Sequence, residues 1–373
     1  MKTTIAFFTT TRAEFGILSS FIRKVKEDQS FSTLLFVGGT HLKKEFGYTI
    51  NEINNFGFEI DGKFDYLEDG DTPFDLSKSC GKCIEQVAEI FRSNSFDYIC
   101  LLGDRYELVP IVLTSILFNV PIIHFGGGEI TEGVIDNQIR HMVTQASFIH
   151  LTAADEFSRK IKEMGIPENN IKTVGSLVVE QMKNISISDK QVLFKSLNLD
   201  VSQKTIILTY HPVTLKGKYS QLEQIENIFD ALDEFDFQVV VTSPNLENER
   251  EVIINYIADK VKYNNKIHFF ESLGVKKYHS LIPHCEFVIG NSSSGLFEVP
   301  FFRKPTINIG DRQKGRFLHN SVIQTTNEKK SIIDGIKQSR NTEFLNEISV
   351  MEYKYGDGNS ASLALEFIKE KIL

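Results

Sequence analysis

Apolar positions along this chain gather into short unbroken runs rather than alternating with polar ones. In the first half the runs are Thr4–Thr9, Thr33–Gly38, Tyr98–Leu102, Pro121–Phe125 and Phe148–Leu151. Polar or glycine-rich residues follow each, and then helical spacing, as in the stretch after Thr10–Glu14 that reaches about Glu27 and the stretch near Ile139–Gln145. Continuous apolar strands alternating with helices predict a parallel sheet covered on both faces. The pattern restarts with Thr205–Tyr210, Phe237–Thr242, Ile267–Phe270, Phe287–Ile289 and Pro305–Ile309. Residues 183–203 between the halves are polar and helix-like, with no strand. An α/β chain of two domains is therefore predicted, one over residues 1–182 and one over 200–352. In the remaining segment, 353–373, the helix Ser360–Ile372 has no strand after it and is expected to pack back on the first domain. Two open α/β sheets whose strands end in polar loops predict a ligand cleft between them.

Composition narrows the function classes. With 41 Lys and Arg against 49 Asp and Glu, the net charge is −8 and no basic tract occurs, which removes the electrostatic footprint of a nucleic-acid binder. An anionic ligand must then be held by a few locally placed cations. No apolar run approaches the roughly 18 residues of a membrane span, and the apolar start of the chain turns polar at Thr9, too early for a secretory leader. Cys80, Cys83, Cys100 and Cys285 are scattered. A cytoplasmic, thiol-bearing protein without a membrane partner is expected.

Each strongly polar cluster follows a predicted strand, at the edge where open α/β sheets bind ligands. In Gly290-Asn291-Ser292-Ser293-Ser294-Gly295, hydroxyls and small residues precede a helix, which suits a phosphate, although the motif taken alone is better read as an ordinary serine N-cap. Neither a Walker-type loop nor a dinucleotide fingerprint is present, so no redox cofactor is expected. Arg12, Arg312 and Arg316 are candidate counter-charges for a diphosphate. Asp104 closes a strand, Glu129 follows three glycines, and Asp136 stands where a helix begins, as an N-cap or as a catalytic group. Carboxylates around one pocket are acid/base equipment, because neighbours push their pKa values apart. His211, before Pro212 at a strand end, is structural or functional at even odds. The nine histidines are too scattered for a metal site. Cys80-Gly81-Lys82-Cys83 reads as helix, and Asp69-Gly70-Asp71 as a turn rather than a metal–diphosphate motif.

At this level the chain resembles the UDP-N-acetylglucosamine 2-epimerases, specifically the hydrolysing branch of sialic- and legionaminic-acid synthesis. The resemblance is carried by Thr11-Arg12-Ala13-Glu14-Phe15-Gly16, Gly39-Thr40-His41-Leu42, Gly103-Asp104-Arg105-Tyr106-Glu107, Gly127-Gly128-Glu129 and Ile135-Asp136-Asn137-Gln138-Ile139-Arg140-His141. It continues through Val174-Gly175-Ser176-Leu177, His211-Pro212, Gly290–Gly295 and Ile309–Arg316, in family order. It implies two Rossmann-like domains of the GT-B kind with the active site in the interdomain cleft. It further implies that Asp104, Glu129 and Asp136 act on the sugar and that His211 lies beside the diphosphate. Arg12, Ser292, Ser293, Ser294, Gly295, Glu298 and Arg312 hold UDP on this resemblance, with Glu298 on the ribose hydroxyls. His41, Arg105, Asn137 and Arg140, in the same segments, are expected at the sugar. Many relatives carry a Glu two residues after the histidine matching His124; this chain has Gly126, which relocates that role onto Glu129. A homodimer or homotetramer is implied.

The expected reaction is anti-type elimination of UDP to a 2-acetamidoglycal, followed by addition of water, giving UDP and N-acetylmannosamine. The same reaction on UDP-N,N'-diacetylbacillosamine, giving 2,4-diacetamido-2,4,6-trideoxymannose, is an alternative. Readings of another class are a GT-B glycosyltransferase and a UDP-sugar-binding module.

Overall fold

Strand β1 (Thr3–Thr9) explains why the apolar runs are unbroken: Ile5 and Phe7 point into one hydrophobic layer, Ala6 and Phe8 into the other. A strand covered on both faces has no solvent side to be polar. The computed structural model describes residues 2–70, 72–131, 135–213, 219–244 and 250–373. Among them the chain divides into two units, residues 1–183 with 354–373, and residues 184–353. No helix among the described residues is long and apolar enough to cross a membrane.

The first unit is built on β1, β2 (Phe31–Gly38), β3 (Gly62–Phe64), β4 (Tyr98–Leu102), β5 (Ile122–Phe125), β6 (Ile149–Thr152) and β7 (Ile171–Thr173). All pair in parallel in the order β3-β2-β1-β4-β5-β6-β7. The strand order reverses direction at β1 and β4, which makes that junction a topological switch point. The terminal helix Ser360–Ile372 lies against the helix Arg12–Glu27, burying Ala361, Ala364, Leu365 and Ile368 among Leu18, Phe21, Ile22 and Val25. Gly175 admits the approach to this helix: it has a φ of +82°, and a Cβ there would stand 2.9 Å from the Tyr355 carbonyl oxygen. The Ser176 N–H instead donates to that carbonyl at 2.8 Å. Much of the phenylalanine content fills this unit, as in the ring cluster Phe8, Phe36, Phe91 and Phe96.

The second unit carries β8 (Thr205–Thr209), β9 (Gln238–Thr242), β10 (Ile267–Phe270), β11 (Val288–Gly290), β12 (Thr306–Ile309) and β13 (Val322–Thr325). These are again all parallel, in the order β10-β9-β8-β11-β12-β13. Its switch point lies between β8 and β11. Both sheets are therefore of the Rossmann-like, doubly wound kind. The structure adds β3, β7 and β13 to the predicted strands. Each is an edge strand of three or four residues carrying Lys, Thr or Gln, too short and too polar to register as an apolar run.

Candidate active site

In the first unit the loops after β1 and β4 meet at the switch point. The helix Arg12–Glu27 starts with Thr11 as N-cap, whose hydroxyl accepts from the Glu14 N–H at 3.3 Å. Glu14 folds back so that its Oε2 accepts from both the N–H and the hydroxyl of Thr10, each at 3.0 Å. Its other oxygen is buried without a partner. Burial, with the Glu107 charge nearby, pushes the Glu14 carboxyl up to about 7 against two hydrogen bonds that pull it down. Glu107, itself buried, grips Arg105: Nη2 donates to Oε1 at 2.5 Å and Nε lies 3.2 Å from both oxygens.

Beyond β4 and β5, Arg140 connects Asp104 with the backbone of Glu129 and lies on the helix that Asp136 begins. This arginine is buried on the helix Asp136–Ala146 and forms an ion pair with Asp104. Its Nη1 donates to the Glu129 carbonyl oxygen at 2.6 Å, tying down the residue after the three glycines. Asn137 Oδ1 accepts from the Thr131 N–H at 3.1 Å, so two predicted sugar contacts also shape the 129–131 loop. Gly128, at φ +83°, lets that loop pass the Phe157 carbonyl, which a Cβ would meet at 2.3 Å. Asp136 is the first residue of the helix, with Ile135 at the cap position, so the N-cap reading of Asp136 is not what the fold adopts. Desolvation first, and the Asp104 charge second, push the Asp136 carboxyl above its ordinary range, while Arg105 and Arg140 pull it back.

His41 is fully buried, its ring nitrogens bonded to Thr9 and Thr49 at 3.2 and 2.8 Å, and desolvation pushes it down to about 4. Arg12 is exposed and pairs with Glu52 at 2.8 Å. The helix Pro73–Ser93 contains Cys80 and Cys83, whose thiols burial pushes up. Asp71 lies outside the described residues. The four cysteines are free, and among the described residues no three His, Cys, Asp or Glu side chains are grouped as a metal would need.

In the second unit β8 and β11 end side by side. Only glycine fits at 290, where φ is +138° and any Cβ would fall 1.9 Å from the Thr209 carbonyl oxygen. Just past it, Asn291 is fully buried and exchanges two hydrogen bonds with the His211 backbone. The Asn291 carbonyl in turn accepts from Gln313 at 2.8 Å and from Arg312 at 3.5 Å, so the loop after β12 joins the same point. The helix Ser294–Phe301 begins here, with Ser293 at its cap position making no side-chain cap bond. Ser294 Oγ is 3.3 Å from Ser292 Oγ and 2.7 Å from the Tyr278 hydroxyl. Gly295 seats the helix on β12, where a Cβ would lie 2.7 Å from Thr306 Cγ2. Glu298, one turn on, pairs with His279 at 2.6 Å.

Sequence reasoning assigned no role to Glu14, Glu107, Asn291, Gln313 or His279. The first four stood in matching segments, and a polar residue just beyond a buried strand was the available signal. Chemically, the first unit offers a desolvated Asp136 carboxyl raised further by the Asp104 charge, and the second a helix N-terminus with hydroxyls and an arginine, suited to an anion.

The sequence model of the family described as UDP-N-acetylglucosamine 2-epimerase matches residues 23–369. A Campylobacter jejuni protein named GDP/UDP-N,N'-diacetylbacillosamine 2-epimerase (hydrolyzing) is 33% identical over 326 residues, 87% of this chain and 84% of its own. An Escherichia coli protein named polysialic acid biosynthesis protein P7 is 31% identical, over 99% of this chain and 94% of its own. The fold is shared with the crystal structure of the Neisseria meningitidis UDP-GlcNAc 2-epimerase bound to UDP-GlcNAc, at a TM-score of 0.76 and 16% identity, covering 99% of this chain and 100% of that one. The chain belongs to the UDP-N-acetylglucosamine 2-epimerase family, in its hydrolysing branch.

Proposed function

We propose that the protein is a hydrolysing 2-epimerase that converts a UDP-linked N-acetylhexosamine into UDP and an N-acetylmannosamine-type sugar. The C2 proton of such a substrate is not adjacent to a carbonyl, so no ordinary base removes it from the resting sugar. As the C1–O bond breaks and UDP leaves with its electron pair, charge develops at C1 and the C2 proton becomes acidic. A carboxylate takes that proton, and the pair left behind closes the C1=C2 bond of a 2-acetamidoglycal. Water then adds its oxygen to C1 and gives up a proton to a carboxylate, while a carboxylic acid protonates C2 from the opposite face.

The observation that carries this reading is the coupling of Asp104 and Asp136 around Arg140. A carboxyl group pushed toward its protonated form beside a second carboxylate suits acid and base work, whereas a binding module needs neither. Asp136, pushed toward its protonated form, suits the donor. Asp104 and Glu129 are the candidates for the base. Ser292, Ser293, Ser294, Gly295 and Arg312, with His211 pinned at the β8 end, suit the diphosphate, and Glu298 the ribose.

UDP-N-acetylglucosamine is the leading substrate. The name of the Campylobacter relative favours UDP-N,N'-diacetylbacillosamine as a second reading. A cytoplasmic homodimer or homotetramer completes the proposal, supported by the free thiols and the family resemblance. Incubating the enzyme with each UDP-sugar in deuterated water tests it. Free UDP together with deuterium at C2 of a released mannosamine-type sugar is expected. A nucleotide-linked mannosamine as sole product, or turnover without deuterium, would overturn it.

A further inference from the structure

Two consecutive residues of the helix Gly274–Leu281 hold two points on one face of the helix Ser294–Phe301. Ser294 and Glu298 are four residues apart, so they stand one above the other along that face. The Tyr278 hydroxyl meets Ser294 Oγ at 2.7 Å, and the next residue, His279, places Nε2 2.6 Å from Glu298 Oε2. Because the carboxylate only accepts, Nε2 carries the hydrogen and donates it.

His279 is buried between the rings of Tyr278 and Phe302, with centroids at 6.0 and 6.1 Å, and its Nδ1 is buried without a partner. Among the described residues this enclosed ring has one polar contact, the one to Glu298. The Glu298 side chain stays about one-quarter exposed, so one oxygen is fixed by the imidazole while the carboxylate keeps access to solvent. A glutamate on a helix surface otherwise samples several rotamers. One held at a single oxygen presents the other in a fixed direction.

We infer that His279 is a positioning residue that orients the Glu298 carboxylate toward the ribose hydroxyls of the nucleotide, and so sets discrimination for a ribonucleoside diphosphate. This rests on the reading of Glu298 as the ribose contact.

The test is calorimetric binding of UDP and of its 2'-deoxy and 3'-deoxy analogues to the full-length enzyme. In the wild type, loss of the recognised hydroxyl weakens binding by about tenfold, as expected for a hydrogen bond to a charged group. His279→Phe keeps the ring packing and deletes the donor. It should reduce that ratio to about twofold or less while leaving the affinity of the deoxy analogue unchanged. His279→Gln, which retains an N–H donor, should restore part of the ratio. If His279→Phe does not fold, His279→Asn, whose donor is too short to reach, carries the same comparison. An unchanged ratio, or equal weakening of all three ligands, overturns the role of His279. A wild type that does not distinguish the ligands, or a Glu298→Gln variant that keeps full discrimination, overturns the Glu298 reading itself.

Discussion

Asn291 completes the end of the second sheet by binding the backbone of His211 twice. Its Oδ1 accepts from the His211 N–H at 2.7 Å and its Nδ2 donates to the His211 carbonyl at 2.8 Å. The side chain reproduces one more rung of a β-ladder past the points where β8 and β11 stop. With its own carbonyl bonded to Gln313 and Arg312, it ties three strand-end loops to one buried amide.

Replacing that amide should therefore cost both stability and geometry. Asn291→Ala removes both hydrogen bonds that its side chain makes to the buried His211 backbone. We expect a loss of about 2–4 kcal/mol in urea unfolding and a fall in kcat/KM of at least tenfold. Asn291→Ala with wild-type stability would show that the two bonds do not hold His211.

The carboxylates should separate chemistry from binding. Glu129→Gln and Asp136→Asn are expected to lower kcat by about 10²–10⁴-fold, the range of a lost acid or base, with UDP affinity within about threefold of wild type. Steady-state rates and equilibrium UDP binding on the same preparations check this. Lost UDP affinity with normal turnover at saturation would reverse the assignment.

Asp136 also reports on its neighbour. The Asp104 charge raises its pKa, and Arg140 lowers it. Asp104→Asn removes the first and leaves the second without its carboxylate partner, so both changes act in the same direction. Carboxyl carbon NMR should show Asp136 titrating at lower pH in the variant than in the wild type. A shift upward, or none, would mean that the two groups are not coupled.

Glu14 makes stability depend on pH in a direction opposite to ordinary acid denaturation. Its folded pKa is raised from 4.5 to about 7. The folded state therefore holds a proton that the unfolded chain releases. Its contribution is fully present below pH 4.5 and is lost as pH rises through about 7, amounting to ~3 kcal/mol. Glu14→Gln should be more stable than wild type at pH 8 and no more stable at pH 4, as measured by urea unfolding at each pH.

Three buried histidines act on the acid side. His41, His124 and His150 are each pushed down to about 4 by desolvation. Each contributes stability above the unfolded value near 6.5, which is lost as pH falls toward 4. Neither ring nitrogen of His150 makes a hydrogen bond of ordinary geometry. Its replacement by Leu should accordingly raise stability at pH 5 more than at pH 8 in thermal melts.

The division between what the chain announces and what the fold decides follows from the range of the forces involved. Strands buried on both faces must be apolar throughout, so β1, β4, β5, β8, β9 and β12 could be read from the sequence within a residue or two, as could the polar rim that follows them. The edge strands β3, β7 and β13 take their hydrogen bonds from a neighbour and need no apolar run of their own, so nothing local marks them. In the same way Asp104, Glu129 and Asp136 stood out by type and position. That Arg140 pairs with Asp104 and binds the Glu129 carbonyl, and that Asn291 binds His211, depends on residues 11 to 80 positions apart meeting. Local sequence determines which segments bury their apolar side chains. Only the parallel order of the strands decides which polar side chains meet at their ends, because burial is a property of a segment and partnership is a property of the assembled sheet.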